Sequence, residues 1–168
     1  MKGIFTGGSF EDEVASRLQW LGEGELVKNV FIYSYNLGKY TEIDAIYVTP
    51  YKIYCIESKS FRTSLTGNIN DSTWIGKSGK YIKRIYNPYF QNIEHVRCIK
   101  RRLREFGLYT NRIESIIVLR DSCEIVSDYE NAIPLRRLVS KIKRECMKSK
   151  EQILDVNQIK LSLLKLEE

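Results

Sequence analysis

Apolar residues recur along this chain in two rhythms, and the switches between them mark its elements. Val14, Leu18 and Leu21 keep helical spacing after Ser9, which can cap a helix running to about Gly22. Glu11, Asp12 and Glu13 fill its first turn, where acids suit the helix dipole. Val, Ile, Phe and Tyr then crowd residues 27–35, 41–48 and 52–59, three strand-like runs parted by a segment with Gly38 and by Thr49-Pro50-Tyr51-Lys52. Residues 60–71 are polar, hold Gly67, and leave room for one short strand near Asn68. After Trp74, Lys77-Ser78-Gly79-Lys80 can turn a hairpin into a strand over 81–86. Asn87 as cap and Pro88 in the first turn open a helix to Phe106, with Gly107 beyond its end. Ile93, Val96, Ile99, Leu103 and Phe106 form its buried side. Residues 113–119 read as a strongly apolar strand, 124–126 as a short one, and 135–147 and 152–166 as two more helices. This order predicts an α/β (α+β) fold, a mixed sheet flanked by helices. With no repeat and no long linker, residues 1–168 read as a single domain. Its motif-bearing core covers about 8–120, and C-terminal helices follow over about 134–166.

The hairpin across Pro50 and Tyr51 concentrates the chemistry. With those two as central turn residues, 48 pairs with 53 and 44 faces 57. Side chains two apart share a face of a strand, so Asp44, Glu57 and Lys59 converge on an otherwise apolar hairpin. Carboxylates this close repel unless a cation lies between them. A hard divalent ion is the simplest such cation, and Mg²⁺ is held by one or two carboxylates plus a substrate phosphate. Each residue alone has a plainer reading. Asp44, like Glu42, suits an edge strand with one wet face, and Glu57 with Lys59 could be a surface ion pair. Their coincidence in register is what points to a site.

Asp, a turn, then Glu-x-Lys at a strand end resembles the PD-(D/E)XK nuclease superfamily. The fuller string, TEIDAIYVTP, then YCIESK and later NPYFQ, resembles its nuclease-related domain (NERD) branch from about Gly8 to His95. The resemblance implies a restriction-endonuclease-like core and metal-dependent hydrolysis of phosphodiester bonds, with DNA the preferred substrate and endonuclease action expected. It implies that Asp44 and Glu57 bind Mg²⁺ or Mn²⁺, helped by the backbone carbonyl of Ser58 and by Glu11. Lys59 would position the attacking water or stabilise charge on phosphorus, and Gln91 would orient phosphate or water. The family's helix reads Gly-Glu-x-x-Val-x-x-x-Leu. Here Phe10 stands in place of the Gly, while Glu11, Val14 and Leu18 match. Glu13 could fill the role of Glu11, and dipole compensation explains either residue as well. His95, the only histidine, follows Gln91 by four residues on one helix face. The superfamily's reaction needs no general base, so a structural role or a phosphate contact suits His95 better.

Charge sharpens the picture. The formal net charge of +6 suggests a polyanionic partner. Residues 77–104 hold nine Lys or Arg against one acid, Glu94, whereas the chain up to Asp44 is net acidic. Lys77, Lys80, Lys83 and Arg84 interleave with Trp74, Tyr81 and Tyr86, a composition common on nucleic-acid surfaces. With His95, Arg97, Arg101 and Arg104 they would hold a phosphate backbone without reading sequence. A solvated helix face is the other use of such charge. A catalytically silent nucleic-acid-binding module and a protein-interaction domain are the competing functions. Leu154, Ile159, Leu163, Leu164 and Leu166 could cover the sheet or form a homodimer face. Cys55, Cys98, Cys123 and Cys146 lack metal-site spacing and read as reduced thiols. No run of 18 apolar residues and no secretion signal occurs, so a cytoplasmic protein outside the membrane is expected.

Overall fold

The computed structural model describes residues 9–165. In chain order the elements are α1 (Phe10–Gln19), β1 (Glu25–Ser34), β2 (Lys39–Val48), β3 (Ile53–Lys59), β4 (Ser64–Thr66), β5 (Thr73–Ser78) and β6 (Tyr81–Tyr86). There follow α2 (Pro88–Glu105), β7 (Ile113–Leu119), β8 (Glu124–Val126), β9 (Ala132–Pro134), α3 (Leu135–Lys148) and α4 (Val156–Leu164). The fold is mixed α/β. The main sheet runs β1-β2-β3-β7-β9, an antiparallel meander joined to parallel β7 and β9. Residues 64–86 do not extend it. With β8 they build a second sheet, β6-β5-β4-β8, where the sequence pattern predicts one mixed sheet.

β3 lies third of five strands, and Ile53 to Ser58 are all buried, so its two faces supply two cores. Tyr54 and Ile56 join Ala45, Tyr47, Ile116 and Val118 beneath α1 and α3. Ile53 and Cys55 join Val27, Val30, Ile43, Ile46 and Val48 beneath α2 and α4. Each such side chain contributes roughly 1.5–3 kcal/mol by leaving water, which is why a seven-residue strand anchors the molecule. The hairpin register is the expected one: Val48 pairs with Ile53 and Ala45 with Ile56. Thr49 stabilises the turn, its Oγ1 accepting from the Lys52 and Tyr51 amides at 3.0 and 3.2 Å.

Alternation fails at Asp44. Ile43 packs under α2 while Ala45, two residues on, packs under α1. The β1–β2 ladder skips the step between Lys28↔Ala45 and Val30↔Ile43, where Asn29 takes the left-handed φ of 53°. Such local breaks re-aim a side chain, and this one sits at a carboxylate of the candidate site.

Several boundaries move. α1 ends at Gln19, short of Gly22, with Trp20 as C-cap. The short strand lies at 64–66, before Asn68. α4 begins at Val156 after the Asp155 cap, and Leu166 lies outside the described residues. Phe106, the C-cap of α2, is 39% exposed and Ile93 half-buried, while Asn92, Glu94, His95 and Arg102 are buried. Each of these polar groups has a partner across the fold. Asn92 donates to the Cys55 and Ile116 carbonyls, Glu94 accepts from Ser34 and Asn36, and Arg102 donates to the Ser162 carbonyl. Gly107, with φ of 71°, ends α2 as expected, and the Leu108 amide returns to the Leu103 carbonyl at 2.8 Å. All four cysteines are free and buried. No described helix is long and apolar enough to cross a membrane.

Candidate active site

The C-terminal end of β3 gathers side chains from three further elements. From the edge of the hairpin, Asp44 Oδ2 accepts the Ser58 amide at 2.8 Å, so Asp44 lies across the point where the β2–β3 ladder stops. Glu57 is only 3% exposed, and Lys59 Nζ donates to its Oε1 at 2.7 Å. The same ammonium donates to Oε1 of Gln91 on the first turns of α2 at 3.2 Å. A lysine ammonium has three donors, and these bonds use two. Oε2 of Glu57, Oγ of Ser58 and Nδ1 of His95 are buried without a hydrogen-bond partner.

Burial raises the Asp44 pKa, opposed by the Ser58 amide and Lys59. Burial also pushes the Glu57 carboxyl up to about 7; Lys59 offsets part of this, and Asp44 and Glu11 add to it. Partial desolvation together with Asp44 and Glu42 raises the pKa of the exposed Glu11 at the start of α1. Glu11 therefore shares the electrostatic neighbourhood of Asp44, Glu57 and Lys59. Glu13 turns instead toward Arg120, 3.8 Å away. Beside the carboxylates a cleft of about 230 Å³ is lined by Ser9, Phe10, Glu11, Ser58, Ser60 and Arg120.

Among the described residues, no group of three or more His, Cys, Asp or Glu side chains is arranged to hold a metal ion. The donors near β3 are nevertheless those a hard cation uses. Asp44 and Glu57 supply two carboxylates, one with an orphaned oxygen and both with the charged form disfavoured. Two carboxylates with backbone and substrate oxygens suffice for Mg²⁺, which keeps much of its own water. The residues present fit that group.

The expected phosphate-binding residues divide. Lys77, Lys80, Lys83 and Arg84 are exposed on the β5–β6 hairpin, as are Tyr81 and Tyr86. Trp74 does not belong with them. It is fully buried, its indole N–H donating to the Asn68 carbonyl, against Gly67, where a Cβ would meet the ring at 2.1 Å. On α2, Arg104 and Arg97 are exposed, and Arg97 pairs with Glu94 at 3.2 Å. Arg101 is drawn onto the Tyr33 carbonyl and stacks 4.3 Å from the Tyr35 ring. His95 is fully buried, so it meets no phosphate at the surface; its Nε2 lies 2.9 Å from Thr41 Oγ1. Thr41 carried no signal in the sequence, because its partner lies 54 residues away.

A family model of the nuclease-related domain matches residues 6–120. No curated protein matches the chain, and no solved structure does.

Proposed function

The chain belongs to the nuclease-related domain family, and on that premise we propose that it is a metal-dependent nuclease cutting phosphodiester bonds of DNA, in the manner of an endonuclease. The observation that carries this reading is the meeting of Glu57 and Gln91 on the Lys59 ammonium, at 2.7 and 3.2 Å, beside Asp44. Asp44 and Glu57 would hold Mg²⁺ or Mn²⁺, with the Ser58 carbonyl and Glu11 as further oxygen donors. Lewis acidity toward the scissile phosphate and the attacking water is the chemistry such an ion supplies. Lys59, held by two acceptors, keeps one N–H to orient the water or to meet charge growing on the phosphoryl oxygens. Gln91 fixes that ammonium and can address water or phosphate from the helix side. Lys77, Lys80, Lys83, Arg84, Arg97 and Arg104 would hold the backbone, which adds affinity without sequence preference.

The test is incubation of the purified protein with supercoiled plasmid in Mg²⁺ or Mn²⁺, beside Glu57→Ala and Lys59→Ala. Cleavage that both substitutions and EDTA abolish supports the reading. Cleavage that survives them overturns the site. A wild type that shifts DNA in a gel at low salt, equally with chelator, and never cuts it is a silent binding module instead.

A further inference from the structure

His95 is fully buried four residues beyond Gln91, so one face of α2 sets both side chains over the end of β3. Its Nε2 is engaged by Thr41 Oγ1 at 2.9 Å. Its Nδ1 has no hydrogen-bond partner and faces Oε2 of Glu57 at 3.6 Å, an oxygen equally buried and equally unpartnered. A buried polar atom left unpaired forfeits roughly what a hydrogen bond provides, and both atoms recover it if a closure of a few tenths of an ångström joins them. Active-site hydrogen bonds are commonly long before ligands bind and tighten afterwards.

We propose that His95 is a positioning residue for Glu57: its Nδ1–H donates to Oε2 while Thr41 Oγ1–H donates to Nε2 and sets the tautomer. The inference rests on the reading of Glu57 as a metal ligand. Lys59 then holds one carboxylate oxygen and His95 the other, and each oxygen keeps a lone pair for the ion. Partners of ligating carboxylates orient them, and losing such a partner typically costs 10–100-fold in metal affinity or activity. At a pH well above the ordinary imidazole range the ring is neutral and has a single N–H to assign. The other tautomer would aim a bare lone pair at the carboxylate.

Because His95 is the only histidine, ring ¹⁵N NMR of the wild type reads its tautomer directly. At pH 9 in EDTA, where Glu57 is ionised, the proton is expected on Nδ1; a proton on Nε2 overturns the proposal. The second arm uses two isosteres: His95→Asn keeps an amide N–H near the Nδ1 position, and His95→Gln keeps one near Nε2. Calorimetric Mn²⁺ affinity is expected to stay within about threefold of wild type for Asn and to fall about 10–100-fold for Gln, with thermal melts showing that both variants fold. Equal affinities, or the reverse order, mean that His95 serves only to anchor Thr41. If neither variant folds, the wild-type tautomer decides. A wild type that binds no Mn²⁺ and cuts no DNA sinks the nuclease reading, and the tautomer then still reports on the His95–Glu57 contact alone.

Discussion

At the N-terminal end of β3, Lys52 donates to Glu114 at 2.7 Å and to Glu145 at 3.0 Å, and Tyr54 donates to Glu145 at 2.6 Å. Lys141 completes the cluster with Glu114 at 2.8 Å and Glu145 at 2.6 Å. At the C-terminal end of the same seven-residue strand, Asp44, Glu57 and Lys59 are joined by fewer bonds, and three buried atoms around them lack any partner. The residue types match; the electrostatics do not. Burial pushes the Glu145 carboxyl up, but bonds from Lys141, Tyr54 and Lys52 outweigh it and bring its pKa down to about 2. Burial wins at Glu57, whose pKa stands at about 7. The saturated cluster fastens α3 to the sheet. The undersaturated one leaves buried polar atoms unpaired, Oε2 of Glu57 among them, and on the proposed reading that carboxylate is a ligand for the ion.

Substitutions that treat the two ends alike should therefore part them. The largest effect is on chemistry: Lys59→Ala is expected to lower plasmid cleavage by more than about a hundredfold, whereas Lys52→Ala leaves the rate per folded molecule near wild type. Gel quantitation of nicked and linear product reads both, and comparable losses would erase the distinction. Stability should move in opposite directions. In EDTA at pH 8, Glu57→Gln removes a charge that folding disfavours and is expected to add about 3 kcal/mol, since the rise from 4.5 to about 7 is weighed at about 1.4 kcal/mol per pKa unit. Glu145→Gln removes charge-assisted bonds and should subtract about 1–2 kcal/mol. Urea titrations of the two variants measure both signs.

The pH dependence follows from the same pair. Glu57, raised from its ordinary 4.5 to about 7, holds its proton more tightly when folded; its contribution is complete below pH 4.5 and is lost as pH rises through 7. Glu145, lowered to about 2, contributes above pH 4.5 and loses that contribution as pH falls through 2. The stability gap between wild type and Glu57→Gln should thus close by pH 4, and that for Glu145→Gln should close only near pH 2. The smallest effect belongs to the exposed β5–β6 hairpin. Lys83→Ala is expected to reduce the slope of log affinity for DNA against log salt by about 0.7–0.9, one phosphate contact's share. Fluorescence anisotropy across a salt series would show it, and an unchanged slope would remove Lys83 from the interface.

What could be read in advance follows from range. The β2–β3 register is fixed by a four-residue turn and two runs of apolar side chains, all within 20 residues, and the pairing of Val48 with Ile53 follows from it. The start of α2 is equally local, because Asn87 caps it and Pro88 opens it. β9 carries no signal in the sequence: three residues ending in Pro134 show no periodicity, and they become a strand only because β7 lies beside them. Composition groups Trp74 with surface aromatics among lysines, whereas the missing side chain of Gly67 leaves room for its ring in the interior. The buried polar face of α2 was illegible for the same reason. Besides the local Arg97, Glu94 is held by Ser34 and Asn36, and Asn92 by β3 and β7, partners 23 to 60 residues distant. The place of Asp44 beside the end of β3 follows from the hairpin register, yet its aim depends on the break at Asn29, which no alternation rule anticipates.

The family match stops at residue 120, but neither core does. Leu135, Leu138, Ile142 and Cys146 of α3 close one side of the main sheet, and Ile159 and Leu163 of α4 close part of the other. The stretch that evolution labels is thus smaller than the stretch that physics requires. A fragment trimmed to the match would keep every proposed ligand and still present bare greasy strands to water, so it would clump before it could be assayed. Inactivity of such a fragment would speak of missing insulation and say nothing of the chemistry.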